Sequence, residues 1–303
     1  MSDTVEIIST ELERLLDAID SGSEYTAVGV SLPGLEEGTE MMNTFKEKMS
    51  ASLIAHKLIT KKTQLGCYND SLGGPFTVSP NGGIVLILGT GSMCRFLSLE
   101  TDLRVGGWGH IIGDMASAYW LVIEAIKRSW HTADGLTMTE YDVAPIFTEI
   151  MRFFNLKDRN DIYSVVCDPR SFSKDHVASF AVKIAELANS GDEFALALFE
   201  EAGIHAANHI GAIVRKALKA NPQQREFVVV AVGSVWKSYH LFKHAMMDKL
   251  SSFHLNVKLE FKILEYSSAL GTGWYAAYKA TGKEYKLIRD EGIAFTSLDK
   301  SFA

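Results

Sequence analysis

The chain has 303 residues, of which 47% are hydrophobic and 22% are charged, a composition typical of a soluble globular protein. Its 37 acidic and 30 basic residues give a net charge of −7, which argues against a general nucleic-acid-binding surface. The sequence shows no secretory signal and no apolar run of the roughly 18 residues that a membrane helix needs, and its three cysteines are too widely spaced for a metal or disulfide framework. We therefore expect a soluble cytosolic or nuclear protein of about two domains, with an α/β or α+β fold.

Helical and strand patterns alternate in the first part of the chain. Apolar residues at three- and four-residue spacing predict a helix over residues 8–19, which the small polar residues 21–23 end. Residues 25–32 predict a buried strand that ends at Pro33-Gly34, and residues 41–60 predict a second helix. No strands are predicted before the first helix of this helix–strand–helix layer.

A glycine-rich middle section follows Asn69-Asp70. Residues 71–83 form a connector rich in Gly, Pro and Ser. Residues 84–88 and 93–98 predict a β-hairpin with the tip Gly89-Thr90-Gly91-Ser92. A second glycine cluster, residues 106–113, leads into a helix predicted over residues 116–130.

The remainder of the chain is mainly helical, with two further strands. Helices are predicted over residues 140–155, 175–190, 193–220, 236–250 and 268–281, and strands over residues 227–232 and 259–264. Strands that alternate with long helices indicate an α/β fold.

The hairpin tip could bind an anion. Gly89 and Gly91 leave room for backbone N–H groups to converge, and Thr90 and Ser92 add hydroxyl donors. A dinucleotide-binding loop would require GxGxxG at the start of a helix, and a P-loop would require GxxxxGK[ST]; the hairpin has neither pattern. An ordinary tight turn explains the tip equally well.

Two other strand ends carry polar groups. Gly233-Ser234 ends a buried strand where a helix starts, and free N–H groups at that point favour a phosphate, although Ser234 could also be a simple helix cap. Asp70 ends a short strand-like segment, where a carboxylate could act as a general base or merely form an Asn-Asp turn.

The second glycine cluster carries three further candidates. Asp114 precedes a helix and could bind a ligand or cap that helix. Trp108 and His110 could stack on a sugar or hydrogen-bond to it, or could pack internally.

Two histidine pairs have the i,i+4 spacing that can hold a metal on one helix face, namely His205/His209 and His240/His244. Neither pair belongs to an HExxH motif, and no third ligand lies nearby in the sequence. We predict no metal site held by the protein at either pair.

Taken in order, the motifs ND, GGIVLILGTGSMCR, GGWGHIIGDMASAYW, VAVGSVWKS and SSALGTGWYAA resemble those of animal-type N-acetylglucosamine kinases. These kinases belong to the sugar-kinase branch of the actin/hexokinase/heat-shock ATPase superfamily. The resemblance extends from about residue 10 to residue 298 and implies a two-domain actin-like ATPase fold of ribonuclease-H-like topology. We expect residues 1–80 with 290–303 to form an incomplete small domain, and residues 81–289 to form a large one.

The resemblance also implies an activity and a set of site residues. It implies ATP-dependent phosphorylation of N-acetyl-D-glucosamine on its 6-hydroxyl, with Mg²⁺, by a cytoplasmic homodimer. Asp70 would accept the proton from that hydroxyl. The resemblance implies sugar contacts at Asp70, Ser92, Met93, Gly107, Trp108, Gly109, His110 and Asp114, and nucleotide contacts at Thr90, Ala178, Ser234 and Ser238.

Three departures from the family pattern modify this expectation. The family begins with a GGGT phosphate hairpin and a sugar-binding Asn, and neither precedes the first helix here. Met93 stands where the family has Asn, and Met115-Ala116 stand where it has Glu-Gly. We therefore expect very low kinase activity together with measurable sugar binding. The natural sugar stays open among N-acetylglucosamine, N-acetylmannosamine and glucosamine.

Two alternative functions remain. The chain could be a non-catalytic relative that keeps the fold and binds a sugar or a protein partner. It could also be an activator ATPase of 2-hydroxyacyl-CoA dehydratases, but those proteins hold an iron–sulfur cluster with closely spaced cysteines, which this sequence lacks.

Overall fold

Two β-sheets organise the chain in the computed structural model, which describes residues 2–17, 24–264, 267–285 and 295–297. The first sheet pairs β1 (Ala27–Leu32) with β2 (Gln64–Asn69) in parallel. Helices α1 (Ser2–Asp17) and α2 (Glu40–Ala55) cover one face of it with an apolar cluster. The cluster includes Met42, Phe45, Met49, Leu53 and Leu65, all buried.

The second sheet is mixed and has the strand order β5-β4-β3-β6-β7-β8. Its strands are β3 (Gly83–Leu88), β4 (Ser92–Leu97), β5 (Asp102–Gly106), β6 (Glu226–Val232), β7 (Lys258–Leu264) and β8 (Phe295–Ser297). Strands β3, β6 and β7 run parallel to one another, whereas β4 is antiparallel to β3. The carboxyl ends of the three parallel strands therefore meet at one edge of the sheet.

Most of the helices belong with this second sheet. They are α4 (Ala118–Ala133), α5 (Ala144–Phe153), α6 (Ile162–Val166), α7 (Lys174–Ser179), α8 (Ala181–Asn189), α9 (Glu193–Ala220) and α10 (Tyr239–Ser251), with 3₁₀ turns at Arg159–Asp161 and Ser234–Ser238. The long helix α9 begins where Asp192 accepts a 2.8 Å hydrogen bond from the Ala195 N–H, an N-cap contact. Its apolar face joins the main hydrophobic core under the sheet.

Two helices, α3 (Gly73–Val78) and α11 (Ala269–Thr281), lie between the sheets. The Phe76 ring stacks on Trp274 with centroids 5.8 Å apart, and the Gly271 N–H donates to Thr77 Oγ1 at 2.9 Å. A Cβ at Gly271 would overlap the carbonyl oxygen of Gly73, so the two backbones can approach this closely only without a side chain there. The α3–α11 pair therefore connects the two halves of the molecule.

The structure confirms the predicted hairpin and the long helices, with ends that shift by up to six residues, and it corrects two expectations. The connector over residues 71–83 contains α3, a fully buried helix. The helix predicted over residues 175–190 is two helices divided at Phe180. Strand β5 was not predicted. The end of the first helix at residues 20–23 lies outside the described residues.

The domain division is a prediction that the structure refines at one point. Of residues 290–303, the structure describes 295–297, and these pair with β7 in the second sheet instead of joining the small domain. Within the described ranges, no helix is long and apolar enough to cross a membrane.

Candidate functional site

The candidate site begins where β3 and β6 end side by side. The hairpin tip after β3 is closed by a 2.9 Å hydrogen bond from the Gly89 N–H to the Gly91 carbonyl. Gly233, after β6, has a φ of +108°, and a Cβ there would overlap the Leu88 carbonyl. The Ala118 N–H donates to the Gly89 carbonyl at 2.8 Å, so the tip also contacts the start of α4. Three chain segments therefore meet at this edge.

A cavity of about 380 Å³ opens beside this edge. All four residues predicted to contact a nucleotide line it, namely Thr90, Ala178, Ser234 and Ser238. Asp175 and Lys237 add charged groups to the wall, and Leu121, Val182 and Phe199 are among its apolar residues. The fold thus brings together residues that are up to 148 positions apart in the sequence. We call this space the nucleotide cavity after the prediction that these residues carry.

A second cavity, of about 200 Å³, lies beside the second glycine cluster. We call it the loop cavity; its lining residues include Gly106, Trp108, Asp114, Met115 and His209. Trp108 is 66% exposed, and the Arg104 guanidinium lies 5.0 Å from the centroid of its ring in a cation–π contact. An exposed aromatic ring beside a buried carboxylate suits a ligand that has both an apolar face and hydroxyl groups.

Asp114 is the most enclosed carboxylate of the site, with 4% of its surface exposed. Its Oδ1 accepts the Ser92 N–H at 3.0 Å, and its Oδ2 accepts the Lys174 ammonium at 2.6 Å. Ser117 caps α4 by accepting the Trp120 N–H at 3.1 Å, so the capping alternative for Asp114 is wrong. The Asp114 side chain instead joins the hairpin to α7. No motif surrounds Lys174 in the sequence, so local patterns do not predict its place in the site.

The other predicted sugar contacts are distributed over different surfaces. Side chains alternate along β4, so those of Ser92 and Met93 lie on opposite faces of the strand. A Cβ built on Gly107 would lie 3.1 Å from Met93 Cγ, and the Gly107 N–H donates to the Ser92 carbonyl at 3.1 Å. The His110 ring packs 5.1 Å from the ring of Tyr119, which favours the internal-packing alternative for that histidine.

The loop that contains these residues is held by Arg104 of β5. Arg104 Nε donates to the Gly106 carbonyl at 3.0 Å, and Nη2 donates to the Gly107 carbonyl. Gly106, Gly107 and Gly109 all have φ values between +72° and +78°, where other residues would be strained. The glycines therefore set the path of the loop, and one arginine fixes its carbonyl groups.

Asp70 lies at the carboxyl end of β2, where its N–H donates to the Leu32 carbonyl at 3.2 Å. Burial raises the pKa of the Asp70 carboxyl above its usual value, although hydrogen bonding to the Ser71 N–H and the charge of Arg95 act in the opposite direction. A raised pKa makes a carboxylate a better proton acceptor near neutral pH.

A buried polar network extends from the residue beside Asp70. Ser71 Oγ donates to Asn69 Oδ1 at 2.6 Å and accepts the Arg95 Nη1–H at 3.0 Å. Arg95 is itself 6% exposed and pairs with Asp102, the two atoms Nε and Oδ1 being 2.7 Å apart. This network joins the end of β2 to β4 and β5 of the second sheet.

The histidine pairs have internal partners. The Nδ1 of His209 is hydrogen-bonded to the His205 carbonyl at 2.8 Å, and burial lowers the pKa of both imidazoles. His240 Nε2 lies 2.8 Å from Asn189 Oδ1. Among the described residues, no group of three or more His, Cys, Asp and Glu side chains is arranged to hold a metal ion.

Comparison with known proteins places this fold and site in a family. The model of the BadF/BadG/BcrA/BcrD ATPase family matches residues 19–276. The chain belongs to this family, and its fold is the two-domain actin-like ATPase fold shared with sugar kinases.

Two relatives of known name are similar in sequence. The N-acetylmuramic acid/N-acetylglucosamine kinase of Clostridium acetobutylicum is 30% identical over 157 residues, which are 50% of this chain and 48% of that protein. The N-acetyl-D-glucosamine kinase of Dictyostelium discoideum is 22% identical over 243 residues, 79% of this chain and 73% of that protein. The chain thus matches about half the length of the Clostridium kinase.

Solved structures agree with the fold. A Porphyromonas gingivalis protein assigned as an N-acetylglucosamine kinase has a TM-score of 0.58 at 19% identity, covering 88% of this chain and 84% of its own. The ROK hexokinase of Thermus thermophilus has a TM-score of 0.54 at 14% identity, covering 93% and 88%. These two structures, both below 25% identity, show that the chain shares their fold.

Proposed function

We propose that this protein transfers the γ-phosphoryl group of ATP to the 6-hydroxyl of N-acetyl-D-glucosamine. The observation that carries the proposal is the hairpin tip Gly89–Ser92, which contacts the nucleotide cavity through Thr90 and the buried Asp114 through Ser92. A phosphate donor and a hydroxylated acceptor would thus bind on two sides of one phosphate-binding turn. The names of the Clostridium and Dictyostelium relatives support N-acetylglucosamine as the acceptor.

Phosphoryl transfer depends mainly on positioning and charge stabilisation. We propose a role in it for each of the following residues. The tip N–H groups and Thr90 would hold the phosphates, and Asp70 would accept the proton of the attacking hydroxyl. Asp114 would accept hydrogen bonds from other sugar hydroxyls, and Trp108 would pack on the ring. The family resemblance is also the basis for proposing a cytoplasmic homodimer.

Magnesium fits the nucleotide cavity. Mg²⁺ usually binds through one or two carboxylates, substrate phosphates and several waters, and the Asp175 carboxylate and Thr90 hydroxyl line this cavity. These two residues would hold the ion, which neutralises charge on the phosphates when bound. The polar residues of the cavity would orient the phosphates, and its apolar residues would exclude water.

The test separates sugar binding from nucleotide binding. Calorimetry on the purified chain should show N-acetylglucosamine binding that Asp114→Ala abolishes, because sugar hydroxyls lose their buried acceptor. ATP affinity should stay within a few-fold of the original. Asp134→Ala, at an exposed ion pair with Arg159, is the matched control and should change neither affinity. Equal loss of both ligands in Asp114→Ala would make Asp114 a structural residue.

The non-catalytic relative is the competing outcome. The assay that separates the two outcomes uses protein in excess over ATP and follows ADP release with N-acetylglucosamine, N-acetylmannosamine and glucosamine. Sugar-dependent ADP release supports the kinase. Sugar binding without ADP release above the background supports the non-catalytic alternative.

A further inference from the structure

Lys174 occupies the boundary between the two cavities. It is the first residue of α7, and its Nζ lies 2.6 Å from Asp114 Oδ2. A Cβ built on Gly91 would lie 3.1 Å from the same Nζ, so the ammonium is also beside the hairpin tip. Asp114 lines the loop cavity, and Asp175, the next residue after Lys174, lines the nucleotide cavity.

The ammonium of Lys174 is partly exposed, and it can donate hydrogen bonds in addition to the one that Asp114 accepts. The side chain is 28% exposed, whereas that of its partner Asp114 is 4% exposed. A lysine ammonium has three N–H donors on a flexible stem. The Tyr119 ring centroid lies 6.0 Å from Nζ, so an aromatic face also borders the ammonium. Lys174 can therefore donate to a ligand while it remains close to Asp114.

The partner of Lys174 would change in the ligand-bound protein. A buried carboxylate needs hydrogen-bond donors or a counter-charge, and Lys174 supplies the counter-charge in this structure. Sugar hydroxyls that donate to Asp114 would replace part of that compensation. The ammonium would then be free to turn toward a phosphate at the tip Gly89–Gly91.

We propose that Lys174 is a catalytic residue that binds the transferring phosphoryl group once the sugar occupies Asp114. This inference rests on the proposed kinase function. In the step, the bond from the sugar O6 to the γ-phosphorus forms and the bond from that phosphorus to the β,γ-bridging oxygen breaks, releasing ADP. The hydroxyl proton passes to Asp70. Lys174 keeps its own proton and donates hydrogen bonds to the γ-phosphoryl oxygens.

A purely structural role makes a different prediction. If Lys174 only neutralised Asp114 and held α7 on the hairpin, its loss would weaken sugar binding and stability without regard to the number of phosphates on the nucleotide. A contact to the γ-phosphoryl group instead makes Lys174 discriminate between a nucleoside triphosphate and a diphosphate. The ratio of these two affinities is therefore the informative quantity.

The experiment measures the affinities of the full chain for ADP and for the non-hydrolysable β,γ-imido analogue of ATP, with Mg²⁺ and saturating N-acetylglucosamine. Lys174→Met should weaken binding of the ATP analogue about 10-fold or more, as expected for a hydrogen bond to a charged group, and should change ADP binding less than about 2-fold. Lys174→Arg should restore part of the loss. Lys183→Met, which removes an exposed lysine paired with Glu186 on α8, is the matched control and should match the original chain.

Melting temperatures confirm that each variant is folded. If Lys174→Met does not fold, Lys174→Gln, which keeps an N–H donor for Asp114 without the charge, provides the same comparison. Equal losses for both nucleotides, or no loss for either, would overturn the assignment of Lys174 and leave the proposed kinase intact. Failure of the original chain to bind either nucleotide would overturn both.

Discussion

Glu36 and Arg104 connect the two sheets through an ion pair, with Glu36 Oε1 lying 3.4 Å from Arg104 Nη1. Glu36 follows β1 of the first sheet, and Arg104 belongs to β5 of the second. The same Glu36 oxygen accepts the Asn69 side-chain amide at 3.4 Å, one residue before Asp70. Since Arg104 also holds the carbonyls of Gly106 and Gly107, a polar path extends from the proposed base to the proposed sugar loop.

We expect Glu36→Gln to weaken N-acetylglucosamine binding by about 2- to 5-fold, because a partly exposed ion pair contributes about 1 kcal/mol or less. Arg104→Gln should weaken it further, since the loop carbonyls also lose their donors. Calorimetric titration of both variants and of the double variant gives the coupling energy. Arg159→Gln, which breaks the exposed pair with Asp134, is the control. Strictly additive effects would show that Glu36 does not act through Arg104.

Asp70→Asn should reduce turnover on the order of 10²–10⁴-fold, because the amide keeps the shape but cannot accept the proton. It should also raise the melting temperature at neutral pH. Burial raises the pKa of the Asp70 carboxyl, so its ionised form disfavours folding at pH values above that pKa, and the neutral amide removes this cost. Glu37→Gln, at an exposed position 33 residues before Asp70, serves as the control. Near-full kcat in Asp70→Asn would exclude Asp70 as the base.

Gly271→Ala should lower the free energy of unfolding by about 1–3 kcal/mol, the usual cost of overpacking. The new Cβ would overlap backbone atoms of Gly73 and Thr77 and would force α11 away from α3. Gly273→Ala, one half-turn further along α11, is the matched control. Among the described residues outside the helix backbone, no atom lies within 4 Å of a Cβ there, so alanine should stabilise the helix by about 0.5–1 kcal/mol. Chemical denaturation measures both, and equal effects would contradict the close packing described for this helix pair.

The folding stability should decrease as the pH falls below 6.5. Burial lowers the pKa of His205 and His209 from the 6.5 of an exposed imidazole, so below that pH the unfolded chain binds more protons than the folded one. The stabilisation is therefore complete above pH 6.5 and is lost as the pH falls toward the folded-state values. His209→Gln should flatten the dependence of unfolding free energy on pH between 7 and 5.5, whereas His240→Gln, on α10, should leave it unchanged. An unaltered slope in His209→Gln would show that this imidazole does not contribute.

The sequence predicts the strand ends of the site better than its loops. The apolar run at residues 84–88 and the turn residues after it specify a hairpin, and in the structure its Thr90 lines the same cavity as Ser234. The sequence does not predict helix α3, because Gly73, Gly74 and Pro75 are poor helix formers. Its stability comes from burial between the sheets, which is a tertiary effect.

Local sequence patterns do not predict which side chains pair across long sequence separations. Lys174 and Asp114 are 60 residues apart, and Glu36 and Arg104 are 68 apart, so nothing in the neighbouring sequence marks either pair. The assignment of Asp114 to a helix cap was a reasonable local alternative, but Ser117 is also a strong capping residue and fills that position. Only the fold decides between the two.

The central claim is the Asp70-dependent transfer of phosphate to N-acetylglucosamine, and a single-turnover experiment tests it most directly. The purified chain, in excess over γ-labelled ATP and with Mg²⁺ and N-acetylglucosamine, is quenched at intervals, and the product is identified by phosphorus NMR and mass spectrometry. We predict N-acetylglucosamine 6-phosphate, formed at least about 100-fold more slowly by Asp70→Asn. Absence of the 6-phosphate from a folded chain that binds both substrates, or equal rates with Asp70→Asn, would contradict the claim.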